Sequence, residues 1–144
     1  MILLSYPAVI ESGDDAGFVV SFRDAPGAIT EGGTPDEAIT NAQDALGLWL
    51  LSLVSQGAPI PKPSPVADKE VLITPGPVDA FKIAALDAAH RLDFGSACRT
   101  LRAGLGAQTT NMLLDPMQST DLETTCKALE LLGRRIIIGF EATA

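Results

Sequence analysis

The chain has 144 residues, of which 47% are hydrophobic and 19% charged, and a formal net charge of −8. That balance provides for a packed core and excludes a disordered chain, while a pI near 4.4 excludes indiscriminate coating of nucleic acid or anionic membrane. Cys98 and Cys126 are too few for a disulfide framework or a four-thiolate zinc site. With no signal-peptide pattern and no apolar run of membrane-spanning length, a soluble, cytoplasmic protein is expected.

Residues 2–11 are largely apolar and lead into the turn Ser12-Gly13-Asp14-Asp15. Phe18, Val20 and Phe22 then alternate with Val19, Ser21 and Arg23, the period of a half-buried strand. A further turn at Asp24-Ala25-Pro26-Gly27 precedes the short run Ala28–Glu31, so a small antiparallel meander is predicted. Thr34, Pro35 and Glu37 form a capping box at a helix start. Ala38, Ile39, Ala42, Leu46, Trp49, Leu50 and Leu53 follow at helical spacing, and Gly57 is the stop. This is an α+β unit with one helix across a sheet.

Prolines at 59, 61, 63 and 65 predict an extended segment over 59–66, and Pro75-Gly76-Pro77 is a second breaker after Val71-Leu72-Ile73. The boundary between two units is therefore placed at 74/75. Residues 1–68 carry nine acidic and two basic side chains, against nine and eight in 69–144, so net charges of −7 and −1 point to different partners.

The second unit, 75–144, reads as helical. One helix runs from Val78 to about Arg91. Gly95-Ser96 opens a second that Gly104 closes, a third spans about Ala107–Leu114, and Thr120 with Glu123 caps a fourth that stops at Gly133. The β-branched run Arg135–Phe140 predicts a final strand, paired within the chain or with a second subunit.

Candidate chemistry is sparse. His90 has no second histidine or thiolate at metal-ligand spacing, the cysteines read as small apolar residues, and no phosphate-binding glycine loop occurs. Asp14, Asp15, Asp24, Glu11 and Glu31 fall in turns or near strand ends, with no spacing that singles out a catalytic pair. A solvated acidic face is preferred to a metal site, and neither catalytic residues, metal nor cofactor is expected. A helix-turn-helix counted from Gly104 puts Thr100 at the small-residue position and Leu105 and Leu113 at anchors. Gln108, Thr109 and Asn111 then face DNA bases, with Arg99 and Arg102 on phosphates. Arg99 and Thr110 stand where that pattern wants apolar residues. A plain helical bundle with a polar face is the competing reading.

Residues 6 to 64 resemble the N-terminal domain of HicB-type antitoxins. The likeness rests on Tyr6–Ile10, the Phe18–Phe22 strand, Asp24–Gly27, Thr30, Gly33-Thr34, Glu37-Ala38, Asn41-Ala42, Ala45-Leu46, Trp49-Leu50 and Gly57–Ser64. The remainder resembles the lambda-repressor-like helix-turn-helix of one branch of that family, through Lys82, Leu86, Leu113–Pro116, Ser119-Thr120, Leu122-Glu123, Ala128-Leu129 and Leu132–Arg135. The resemblance implies a reduced RNase H-like first domain without catalytic acids, which binds and occludes a small basic HicA-type mRNA-cleaving toxin. It also implies a second domain that binds the operon's own operator DNA as a homodimer. Asp14, Asp15 and Asp24 are the expected toxin-binding residues. An orphan transcriptional regulator without a toxin, and more distantly a metal-dependent nuclease on an RNase H-like scaffold, are the alternatives.

Overall fold

The alternation at Phe18–Phe22 is realised as a strand in a computed structural model, which describes residues 1–143. Strands β1 (Tyr6–Ser12), β2 (Phe18–Phe22) and β3 (Thr30–Gly32) form the expected meander. Its register sets Ala8 opposite Phe22 and Ile10 opposite Val20, so the apolar members of both strands share one face. Across that face lies α1 (Pro35–Ser55), which buries Ala38, Ala42, Leu46, Leu50 and Val54 at four-residue spacing. Thr34 Oγ1 accepts from the Glu37 amide at 3.1 Å, while the Glu37 carboxylate accepts from Gly33 N at 2.9 Å. The capping box is thus present, closed one residue further out than its usual form. Gly57, at φ +73°, ends the helix as expected. The single tryptophan, Trp49, lies so close to Gly27 that a Cβ there would meet its Nε1 at 2.2 Å.

The segment after α1 is extended, as its prolines require, and is tied down on its way back to the sheet. Tyr6 Oη donates to Pro61 O at 2.7 Å, Arg23 Nη2 donates to Pro65 O, and Ser64 is bound by Asp24. The chain then adds a strand that the sequence reading left as a bare apolar run. β4 (Glu70–Ile73) pairs antiparallel with β1, Tyr6 opposite Ile73, which gives the sheet order β3-β2-β1-β4.

Four helices follow: α2 (Pro77–Arg91), α3 (Phe94–Leu105), α4 (Ala107–Leu114) and α5 (Leu122–Leu131). α2 belongs to both halves. Its Ile83 and Leu86 join the core beneath α1, and its Ala85, Ala88 and Ala89 join the second core with Leu101, Leu113 and Leu129. Contact with α1 is close at Gly47, where a Cβ would stand 2.7 Å from Asp79 Oδ2.

Four local expectations are corrected. Helix α3 is capped by Asp93, whose carboxylate accepts from Ser96 N, so it starts at Phe94 rather than at Gly95-Ser96. It also runs through Gly104 to Leu105. Gly104 lies against the side chain of Leu131, whose Cδ1 would be 2.4 Å from a Cβ there, and the reversal is made by Gly106 at φ +86°. The cap of α5 is Asp121, bonded to Thr124 N at 2.8 Å, because Thr120 is buried and its hydroxyl finds no partner. The run Arg135–Phe140 forms no strand. Ile136 rests on the second core, while Ile137 and Ile138 are 70% and 64% exposed and no neighbouring strand offers them a ladder. Among the described residues, no helix is long and apolar enough to cross a membrane.

Candidate functional site

Two surfaces carry the polar groups singled out by the sequence, one on each half. The first is a hollow of about 630 Å³ between the β1–β2 turn and the β3–α1 junction. Gly13 N donates to Gly17 O at 2.8 Å, which closes the turn that presents Asp14 and Asp15 to solvent. Glu31 stands exposed on β3 opposite Val19, and Glu37 joins from the first turn of α1. Glycines let these walls approach: a Cβ on Gly32 would lie 2.4 Å from Ala38 N, and one on Gly17 would lie 3.1 Å from Gly32 O. No cationic side chain lines the hollow, and the ion pairs among the described residues, Arg23–Glu70 and Arg91–Asp87, lie elsewhere. Four carboxylates held in one depression, one of them tied to an amide, make a region of concentrated negative potential. Among the described residues, no group of three or more His, Cys, Asp or Glu side chains is arranged to hold a metal ion.

Asp24 does not belong to this hollow. It follows the opposite end of β2 from Asp14 and Asp15, so the three aspartates expected to act together are separated by the length of that strand. Its carboxylate accepts from Ser64 N and Ser64 Oγ, both at 2.8 Å. The amide of Ser64 holds this carboxyl below the usual range. Burial, and secondarily the charge of Asp24, push the Tyr6 hydroxyl up to about 12. Asp24 is thus a clamp on the proline segment. Sequence reading had named Asp14 and Asp15, but it missed that Glu31 and Glu37 share their hollow. The signal available was Gly32-Gly33, which brings the end of β3 against the start of α1.

The second surface is formed by α3, Gly106 and α4. Ala97, Cys98 and Leu101 face the core on α3, as do Thr110 and Leu113 on α4. Arg99 and Arg102 therefore point outward three residues apart, with Arg99 Nη2 bonded to Ser96 Oγ at 2.9 Å. Gln108 and Asn111 are likewise exposed and three apart, and Thr109 is half-buried at their flank. The stretch Phe94–Leu114 holds these two arginines and no carboxylate, with Asp93 and Asp115 standing at the caps on either side. Thr110, which departed from the apolar pattern, is fully buried with its hydroxyl unpaired.

Residues 6–75 match the family model described as the HicB-like antitoxin of bacterial toxin-antitoxin system. Among curated proteins, Antitoxin HicB 1 of Photorhabdus laumondii is 30% identical over 139 residues, covering 96% of this chain and 88% of its own. Antitoxin HicB 2 of the same organism is 29% identical over 92% of this chain and 94% of its own. Antitoxin HicB of Escherichia coli K12 is 27% identical over 92% and 96%.

Proposed function

The chain belongs to the HicB-like antitoxins of bacterial toxin–antitoxin systems, and from that premise we propose that it neutralises a small basic HicA-type ribonuclease with its first half and represses its own operon with its second. The observation that carries the toxin reading is the acidic hollow. A ribonuclease needs a basic surface to hold RNA, and Asp14, Asp15 and Glu31 form a complementary surface that meets it without catalysis. Asp24 contributes by holding the proline segment in place.

For the operator, α4 offers Gln108 and Asn111 to base edges with Thr109 beside them, while Arg99 and Arg102 of α3 meet phosphates. Two copies, joined through the exposed Ile137, Ile138 and Phe140, would read two half-sites about one helical turn apart.

Coexpression with the basic product of the adjoining reading frame tests the toxin assignment. The two are expected to copurify. A variant carrying Asp14→Asn, Asp15→Asn and Glu31→Gln is expected to associate about tenfold more slowly at low salt, with the gap closing as salt rises. Absence of a complex would leave the orphan regulator as the reading.

A further inference from the structure

Lys82 is only 1% exposed, a rare state for a lysine, because an ammonium stripped of water is tolerated only where its protons find acceptors. Its Nζ donates to the backbone carbonyls of Met112 at 3.3 Å and Asp115 at 2.5 Å, and to that of Gln118. Three protons meet three carbonyls. Met112 lies in the last turn of α4, where helical carbonyls lack partners of their own, and the other two lie in the connection to α5. Asp115 and Asp79 add negative charge around the buried ammonium. The lysine's own base is rigid, since the next residue, Ile83, and Leu86 are locked in the core beneath α1. Leu114 packs against both cores at the same place.

We propose that Lys82 is the positioning residue of the α3–α4 unit: anchored through α2 to the first half, its ammonium orders residues 115–118, fixes the C-terminal end of α4 and so sets the direction of Gln108 and Asn111. The operator reading above enters only in what α4 is positioned to meet. The ordering of the loop stands apart from it.

Lys82→Met keeps an unbranched side chain of similar length and removes every donor. Amide exchange at Asp115, Met117 and Gln118 is expected to speed up about tenfold or more, while amides of α1 hold their rates. Affinity for the chain's own upstream DNA is expected to fall about tenfold, with toxin binding unchanged. In Lys82→Ala, methylammonium is expected to restore loop protection where tetramethylammonium at equal ionic strength, which has no proton to donate, does not. Wild-type loop exchange in the methionine variant overturns the assignment. So does equal rescue by both cations, or undiminished DNA affinity once the loop is loose. Should both variants fail to fold, the wild type decides. Its Lys82 ammonium protons are expected to exchange far more slowly than those of exposed Lys127, and equal rates overturn the proposal. A wild-type chain indifferent to its upstream DNA would refute the operator reading, while the exchange, rescue and ammonium measurements still judge the lysine.

Discussion

Around α1 the interior sets Tyr6, Val20, Phe22, Leu46, Leu50 and Ile73 among five alanines; around α3–α5 it is smaller, with Ala85, Ala88, Ala89, Ala97 and Ala128 beside only Leu101, Leu113, Leu129 and Leu132. Large side chains bury more apolar area per residue, at roughly 25 cal/mol per Å², so the first half draws its stability from the core itself. Alanine and Gly104 instead let helices approach closely while burying little. Polar fastenings serve both halves: the Thr34 cap, Tyr6 on Pro61 and Asp24 on Ser64 in the first, and the Lys82 bonds with the Asp93 and Asp121 caps in the second. The larger core lies behind the acidic hollow, and the smaller one behind α3 and α4.

The comparison can be broken most decisively at Leu50, which is wholly buried under the sheet. Leu50→Ala is expected to cost about 2–5 kcal/mol in denaturant unfolding. Because α2 is common to both cores, both halves should melt in one transition, and two separated transitions would show that α2 does not couple them.

Alkaline titration sharpens the contrast, since it targets a fastening that only the first half possesses. Tyr6 is neutral and donates to Pro61 O, and its folded pKa of about 12 exceeds the ordinary 10. A raised folded value means that this contribution is complete below pH 10 and disappears as the pH climbs through about 12. As the chain's single tyrosine, it can be followed directly by its phenolate absorbance. Tyr6→Phe is expected to lose about 1 kcal/mol at neutral pH and the associated part of the alkaline decline. A phenolate that appears near pH 10 in the folded protein would contradict this.

The smallest effect belongs to the half with the smaller core. Thr110 carries a buried hydroxyl without a partner, so Thr110→Val is expected to stabilise the chain by about 1 kcal/mol in thermal unfolding. A loss of stability there would mean that the hydroxyl is paired in solution.

Local signals were legible in the sequence and distant ones were not. Thr34, Glu37 and Gly57 declared both ends of α1 because caps and stops act within a few residues. β4 was missed because it has four residues, two of its apolar side chains are exposed, and its partner strand lies at the other end of the domain. Gly104 and Gly106 look alike in sequence, and only the backbone shows that Gly106 takes the positive φ while Gly104 stays inside α3. Thr120 and Asp121 are both good caps, and only burial of the threonine decides between them. Asp24 resembled any turn aspartate because Ser64, which claims its carboxylate, is forty residues away.

The pairing of β1 with β4 also sets a schedule for the nascent chain. The acidic hollow is complete once Glu37 has left the ribosome, being drawn from neighbouring turns. The core behind it cannot close until Ile73 pairs with Tyr6 and α2 delivers Ile83 and Leu86. Closing so long a loop is slow beside forming a hairpin, so the acidic hollow is synthesised well before the scaffold behind it. During that interval the free edge of β1 is open to other strands, and the chain is at its most vulnerable to mispairing and proteolysis before α2 emerges.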